Sequence, residues 1–182
     1  MNRHTYLYPI FLLLALFLWG GSLCAQGPIW PCDGSFFISG HTRWGASLLY
    51  RIQVDSSTNE AVFEEIQLSD TLVFPTSLGY SVRDGYLYSL DFDSKELLRI
   101  DAAGTVARLG VPANLDTTLQ YYGGAISPQG RNLRVVGFDP ATGADVRFYN
   151  ISLNQPDYFA GIGSLVSNRA VAMTDLATDP IQ

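Results

Sequence analysis

The segment LGYSVRDGYLYSL at residues 78–90, followed by LLRI at residues 97–100, decides the fold of this chain. It consists of short aromatic and aliphatic runs that are interrupted by Asp84-Gly85. This dipeptide is typical of a tight hairpin turn, because glycine readily supplies a positive φ. The segment therefore predicts three consecutive antiparallel strands.

The same pattern returns along the chain. Arg51, Arg99 and Arg147 each lie between two apolar residues, and they are spaced 48 residues apart. Each of these triplets follows a predicted strand that opens on a glycine, at Gly34, Gly85 and Gly130. We interpret the arginines as structural residues that pair with turn carboxylates or face solvent. A self-similar period of this length indicates a repeat protein.

Each unit reads as four short strands joined by turns, and residues 109–119, the nearest approach to a helical pattern, are interrupted by Pro112. The sequence therefore predicts an all-β fold, a β-propeller of four-stranded blades. We place Gly79 and Gly124 on innermost strands, where blades crowd together. A β-sandwich of short strands is the alternative, but it does not require the repeated triplet.

The predicted propeller is incomplete, with about three blades plus one extra strand. The first blade lacks its inner strand, and a fourth unit opens at residues 171–176. Closed propellers generally have at least four blades. We expect a C-terminally truncated product, and partial blades that complete each other in an oligomer are the alternative.

Residues 1–25 are predicted to be a cleavable signal peptide. Arg3 precedes an apolar run at residues 10–19, and small residues lead to Ala25. The run is too short for a membrane span. Leu23 precedes Cys24 where lipidation requires a small residue, so we do not expect a lipoprotein. The predicted organisation is a signal peptide at 1–25, a short linker at 26–31 and the partial propeller at 32–182, with no membrane span after cleavage and a secreted, cell-surface or periplasmic location.

Net charge and cysteine count limit the classes of partner and the possibility of a disulfide. The net charge is −6, and Lys95 is the single lysine, which argues against nucleic acid as a partner. After cleavage Cys32 is the only cysteine, so no internal disulfide is expected, and we predict that it is buried.

The search for chemical motifs gives weak candidates. His41 has no matched acid, and the metalloprotease, paired-cysteine and phosphate-loop motifs are absent from the sequence. The carboxylates Asp91, Asp93, Glu96 and Asp101 could suit calcium, but we interpret them as turn residues and predict no metal site, no cofactor and no catalytic residue. Possible ligand-facing residues are Tyr121 and Tyr122, which could stack on a sugar or peptide in an axial funnel, and Asp175 on the extra strand.

Four segments support a resemblance to a known family: CDGSFFIS at residues 32–39, SLLYRI at 47–52, SLGYSVRDGYLYSL at 77–90 and LLRIDAAGTVARLG at 97–110. With DLATDP at 175–180, they resemble an uncharacterised β-propeller family of secreted and cell-surface proteins, many from Bacteroidetes-type bacteria. Thr76 and Ser77 replace the asparagine and alanine that are usual there. The resemblance implies fold, export and truncation, and it assigns no catalytic residue.

Two classes of function are compatible with these features. The first is a non-catalytic secreted binding or scaffold module for an extracellular protein or glycan, which we favour. The second is a metal-dependent propeller hydrolase acting on lactones or sugar esters, for which Asp175 is the single inner-strand carboxylate. A truncated fragment without function is the third possibility.

Overall fold

A computed structural model describes residues 27–41, 47–142 and 146–163. In these residues the chain forms eleven β-strands and no helix, and so none that could cross a membrane. The bounds are β1 Phe36–His41, β2 Ser47–Asp55, β3 Glu60–Ile66, β4 Pro75–Ser81, β5 Tyr86–Asp91, β6 Leu97–Ile100, β7 Val106–Arg108, β8 Gln120–Ile126, β9 Asn132–Phe138, β10 Arg147–Ser152 and β11 Ala160–Gly163.

The strands form three sheets, in each of which neighbours in sequence pair antiparallel. The first sheet is β1-β2-β3, the second is β4-β5-β6-β7 and the third is β8-β9-β10-β11. This confirms the all-β prediction. The first sheet has one strand fewer, because no described strand pairs with the free edge of β1. The predicted signal peptide and the extra strand at 171–176 lie outside the described residues.

Three glycines occupy the turns that lead into equivalent strands. Gly34, Gly85 and Gly130 precede β1, β5 and β9, and their φ angles are 78°, 74° and 66°. An L side chain is strained in this region, whereas glycine is not. The prediction from the sequence repeat is therefore confirmed at these three turns.

The innermost strands of the second and third sheets, β4 and β8, pack against each other. Each carries an irregularity in register, between Thr76 and Gly79 in β4 and between Tyr121 and Gly123 in β8. A Cβ atom on Gly124 would lie 2.2 Å from the carbonyl oxygen of Ser77. The prediction that small residues lie where neighbouring sheets crowd together is confirmed here.

Two hydrophobic clusters fill the spaces between the sheets. One lies between the first and second sheets and includes Trp30, Leu49, Ile66, Leu87, Leu98 and Ile100. The other lies between the second and third sheets and includes Leu90, Leu97, Tyr121, Leu133, Tyr149 and Ile151. The loop at 109–119 contributes Leu115 and Leu119 to the second cluster. Both faces of the second sheet are therefore buried.

The segment before β1 is anchored to the second sheet. The Trp30 amide donates to the Gly85 carbonyl at 2.8 Å, and the Pro28 carbonyl accepts from the Ala102 amide at 2.8 Å. The Trp30 ring meets Phe37 edge-on at 4.9 Å. The residues that we assigned to a linker thus pack on the sheets. Cys32, which we expected to be buried, is exposed, because it follows this anchor and precedes the first sheet.

The three repeated arginines do not share one register. Arg51 pairs with Phe37 and Arg99 with Tyr88, so these two positions are equivalent. In the third sheet the equivalent position is Asn150, whereas Arg147 starts β10. The structural period is therefore 48 residues once and 51 residues the second time. The equal spacing of the three arginines in the sequence therefore does not mean equal positions in the sheets, because the connecting loops differ in length.

Candidate binding cleft

A cleft with a volume of about 760 Å³ lies where one end of the first two sheets meets the third. The loop between β3 and β4 forms one wall with Leu72 and Phe74, and the turn after β5 contributes Phe92 and Asp93. Tyr122 reaches the cleft from the bulge in β8. A concave, mainly apolar surface with a few polar groups is typical of ligand sites.

Four aromatic rings form a continuous row, of which the first three line this cleft. Phe74 meets Phe92 edge-on at 5.4 Å, and Phe92 lies 5.7 Å from Tyr122. Tyr122 in turn stacks on Phe138 at 5.2 Å with an interplanar angle of 17°. The rings hold one another in place, and the Tyr122 side chain is 51% exposed. The cleft therefore presents an ordered aromatic surface to solvent.

Lys95 contacts Phe92, one of the rings in this row. Its ammonium group donates to the Phe92 carbonyl and, at 2.7 Å, to the amide oxygen of Gln120. The same group lies 5.0 Å from the centre of the Phe92 ring. The lysine is only 5% exposed, and burial lowers its pKa below the ordinary value. Lys95 is thus a fixed structural cation that links the β5–β6 turn to β8.

Asp91 organises the wall of the cleft. Its carboxylate accepts from the Phe74 amide at 2.7 Å, and from the amide and hydroxyl of Ser94 at 3.0 and 2.7 Å. Burial alone would raise the pKa of Asp91, but these hydrogen bonds lower it below the usual range. Asp91 therefore holds the β3–β4 loop against the β5–β6 turn.

Most of the carboxylates that we weighed as calcium ligands are engaged by protein partners, and Asp91 and Glu96 share the Ser94 hydroxyl. Glu96 forms an ion pair with Arg108 at 2.6 Å, and Asp101 accepts from the Ala103 and Thr105 amides at 2.9 and 2.8 Å. Asp93 is exposed in the cleft. Within the described ranges, no three His, Cys, Asp or Glu side chains converge to hold a metal ion.

The two candidate tyrosines lie on opposite sides of β8. Tyr121 is 1% exposed, donates to the Asp116 carbonyl at 2.8 Å and meets the Tyr149 ring edge-on at 5.9 Å. It is a core residue rather than a ligand-facing one. Tyr122 lies in the cleft. Asp175, the third candidate, lies outside the described residues.

The sequence did not mark Phe74 and Phe92 as part of a binding surface, and it marked Asp93 only as a carboxylate that could suit calcium. They belong to loops and turns whose mutual position depends on how the sheets pack. The signal was present only as aromatic residues at the ends of predicted strands, at residues 74 and 92.

The repeated arginines make different contacts. Arg51 forms ion pairs with Asp33 and Glu64, and Arg147 with Asp116 at 2.9 Å. The Arg99 guanidinium lies 4.7 Å from the centre of the Tyr86 ring. All three are therefore engaged with side chains of the sheets and turns that surround them.

Three antiparallel sheets of consecutive strands, with glycine turns at equivalent places, define this chain as an all-β repeat protein. It belongs to the family described as a repeat of unknown function (DUF6923), whose match covers residues 27–173.

A crystal structure of a protein from Lactobacillus plantarum is also similar, at 16% identity and a TM-score of 0.38. The similarity covers 76% of this chain and 44% of that one, so this chain matches less than half of that protein's length. No curated protein matches the sequence significantly.

Proposed function

We propose that the three sheets are successive blades of an incomplete β-propeller. In a propeller the first strand of each blade runs beside a central axis, where blades meet. The packing of β4 against β8, with Gly124 against the Ser77 carbonyl, supports this arrangement. The consecutive antiparallel order within each sheet supports it as well.

The function that we propose is that of a secreted or cell-surface recognition module without catalytic activity. The observation that carries this proposal is the aromatic row at the cleft, where the half-exposed Tyr122 ring and the exposed Asp93 carboxylate both line the same surface. A planar ring next to an acceptor for hydroxyl groups suits a sugar ring, which has an apolar face and polar edges. A glycan is therefore the preferred ligand, and a segment of an extracellular protein is the alternative.

The hydrolase hypothesis gains less support from these residues. Such an enzyme requires several carboxylates or amides around one metal ion. Asp91 and Glu96 both accept from the Ser94 hydroxyl, and Asp101 accepts from backbone amides in a different turn.

The recognition proposal is tested by screening the purified protein against a glycan array and measuring affinity for each hit by calorimetry. Tyr122→Ala should weaken binding about two- to twelvefold, because a stacking contact contributes roughly 0.5–1.5 kcal/mol. Phe159→Ala, which removes a 44% exposed ring outside the cleft, should leave affinity unchanged. Binding that Tyr122→Ala does not weaken, or a screen without hits, would count against a glycan site here.

Export is tested separately. Expression of the full chain in a bacterium with a secretion pathway should yield a protein that begins at Gln26, read by N-terminal sequencing. Replacing Leu13 and Leu14 by Arg interrupts the apolar run and should retain the precursor inside the cell. A product that keeps residues 1–25 after export would contradict the cleavage site.

A further inference from the structure

The outward-facing side of the first sheet is strongly apolar and exposed. Phe37, Leu49 and Ile66 face the second sheet, so the alternate residues of β1, β2 and β3 face away from it. We call this side the first-sheet outer face; its apolar members are Phe36, Ile38, Tyr50, Ile52, Val54 and Phe63, and it also carries Glu65. The Phe36, Val54 and Phe63 side chains are 65%, 58% and 61% exposed.

Equivalent positions in the other two sheets are completely buried. The cross-strand pair Phe36–Ile52 corresponds to Leu87–Ile100 in the second sheet and to Leu133–Ile151 in the third. In each case this is the side that faces the preceding sheet, and all four residues of the later pairs are 0% exposed. The first-sheet outer face thus has the composition of a buried interface between sheets.

The side of a sheet that packs against the following sheet also has equivalent apolar pairs in the second and third sheets. Leu90 pairs with Leu97 on the side of the second sheet that packs against the third, and both are buried. The corresponding pair in the third sheet is Val136–Phe148, on the side that no described sheet covers. We call this side the third-sheet outer face; within the chain Val136 is 7% exposed and Phe148 is half-buried, and the face also carries Arg134, which is exposed. Both halves of one type of sheet-to-sheet interface are therefore repeated in the chain, and the first-sheet outer face is the more exposed of the two.

We propose that the first-sheet outer face binds the third-sheet outer face of a second copy of this chain. The apolar pairs on each outer face are equivalent to pairs that, elsewhere in the chain, lie between neighbouring sheets. Their lone charges are also opposite, because Glu65 belongs to the first-sheet outer face and Arg134 to the third-sheet outer face. This contact is independent of any ligand in the cleft.

Such a contact joins two different surfaces, so it closes into a ring or continues as a filament. Two chains, each with the three sheets of the described residues, give a ring of six, which is within the range of propellers. The dimer is the expected endpoint, because both pairs of outer faces are then covered. This ring size rests on the propeller arrangement proposed above, whereas the contact between the two faces does not.

The test is the oligomeric state of the protein purified from expressing cells, measured by sedimentation velocity over a range of concentrations. Phe63→Asp and Val62→Asp form a matched pair, because these adjacent residues of β3 are 61% and 51% exposed on opposite sides of the sheet. Phe63→Asp should raise the dimer dissociation constant at least about tenfold, the usual effect of losing a central interface contact. Val62→Asp should leave it unchanged.

A charge exchange gives a second test that does not rely on apolar residues. Arg134→Glu should weaken the dimer through repulsion from Glu65, and adding Glu65→Arg in the same chain should restore it. Circular dichroism shows whether each variant keeps its β-sheet content. The proposal is overturned if the wild-type protein is a monomer throughout the range, or if its dimer is unaffected by Phe63→Asp. Glycan binding by a monomer would then leave the proposed function intact.

Discussion

The Arg51 guanidinium on β2 forms an ion pair with the Asp33 carboxylate, which lies just before β1. Asp33 also accepts from the hydroxyl and the amide of Ser35 and from the side-chain amide of Gln53. The hydrogen bond from the Ser35 hydroxyl, followed by those from its amide and from Arg51, lowers the pKa of Asp33 to about 2. The charged Asp33 carboxylate therefore fixes the residues at the start of the first sheet.

We predict an acid-sensitive contribution from this carboxylate. A folded-state pKa below the ordinary value means that the contribution is complete above the unfolded pKa of 3.8 and disappears as the pH falls towards 2. The melting temperature of the wild type should therefore drop more steeply between these values than that of Asp33→Asn. Asp157→Asn, which changes an exposed carboxylate in the third sheet, is the control and should follow the wild type. Parallel curves for wild type and Asp33→Asn would show that the contact contributes nothing.

Gly124→Ala should destabilise the protein while Gly123→Ala should not. The new methyl group at 124 would lie 2.2 Å from the Ser77 carbonyl, a backbone atom that cannot move without shifting β4. At Gly123 the nearest atom is a Val136 methyl at 4.0 Å. We expect Gly124→Ala to lower the free energy of unfolding by about 1–3 kcal/mol, as overpacking does. Urea denaturation of both variants measures the difference, and equal midpoints would contradict the close approach of β4 and β8.

Ser77→Gly should stabilise the protein. Ser77 has a φ of 53°, and its buried hydroxyl has no hydrogen-bond partner. Removing the strain and the unpaired hydroxyl outweighs the extra freedom of glycine in the unfolded chain, for a net gain of about 1 kcal/mol.

The comparison variant for Ser77→Gly is Asn59→Gly. Asn59 has a similar φ of 56°, but it is exposed, and asparagine tolerates this conformation. Its unfolding midpoint should barely change. A midpoint for Ser77→Gly below that of the wild type would mean that the serine has a partner in solution.

Lys95 should resist acylation in the folded protein. The ammonium group is held by Phe92 and Gln120, and the residue is 5% exposed. The lowered pKa alone would favour reaction with an amine reagent, so slow labelling would report burial. Peptide mass spectrometry should find Lys95 modified much more slowly in the folded protein than in denaturant, whereas the rate at the N-terminal amine, the internal reference, should change little. Rapid labelling of Lys95 without denaturant would contradict its buried position.

The turns and the strand order could be predicted from the sequence, because they depend on local chemistry. Asp84-Gly85 and the other glycine turns adopt a positive φ that glycine permits, and this preference depends on only a few residues. Sequence spacing was less reliable for register. Arg147 shares the 48-residue interval but not the position of Arg51 and Arg99, because loop lengths vary independently of strand pairing.

The binding surface was only partly predictable for a related reason. Alternation along a strand decides which of two neighbours is buried, and the bulge in β8 interrupts that alternation between Tyr121 and Gly123. The sequence therefore marked both tyrosines but could not assign Tyr121 to the core. Phe74 and Phe92 meet across a loop and a turn, and their contact depends on the Asp91 hydrogen bonds. No short-range pattern encodes it.

The bulges in β4 and β8 have a consequence for how this family can change length. Gly124 and Ser77 meet where both strands are irregular, so the two sheets are aligned at one point. Insertion or deletion of a residue in either strand would shift that point and turn every later side chain to the other face. Variation in length among relatives should therefore be confined to the exposed turns between strands, such as residues 56–59 between β2 and β3.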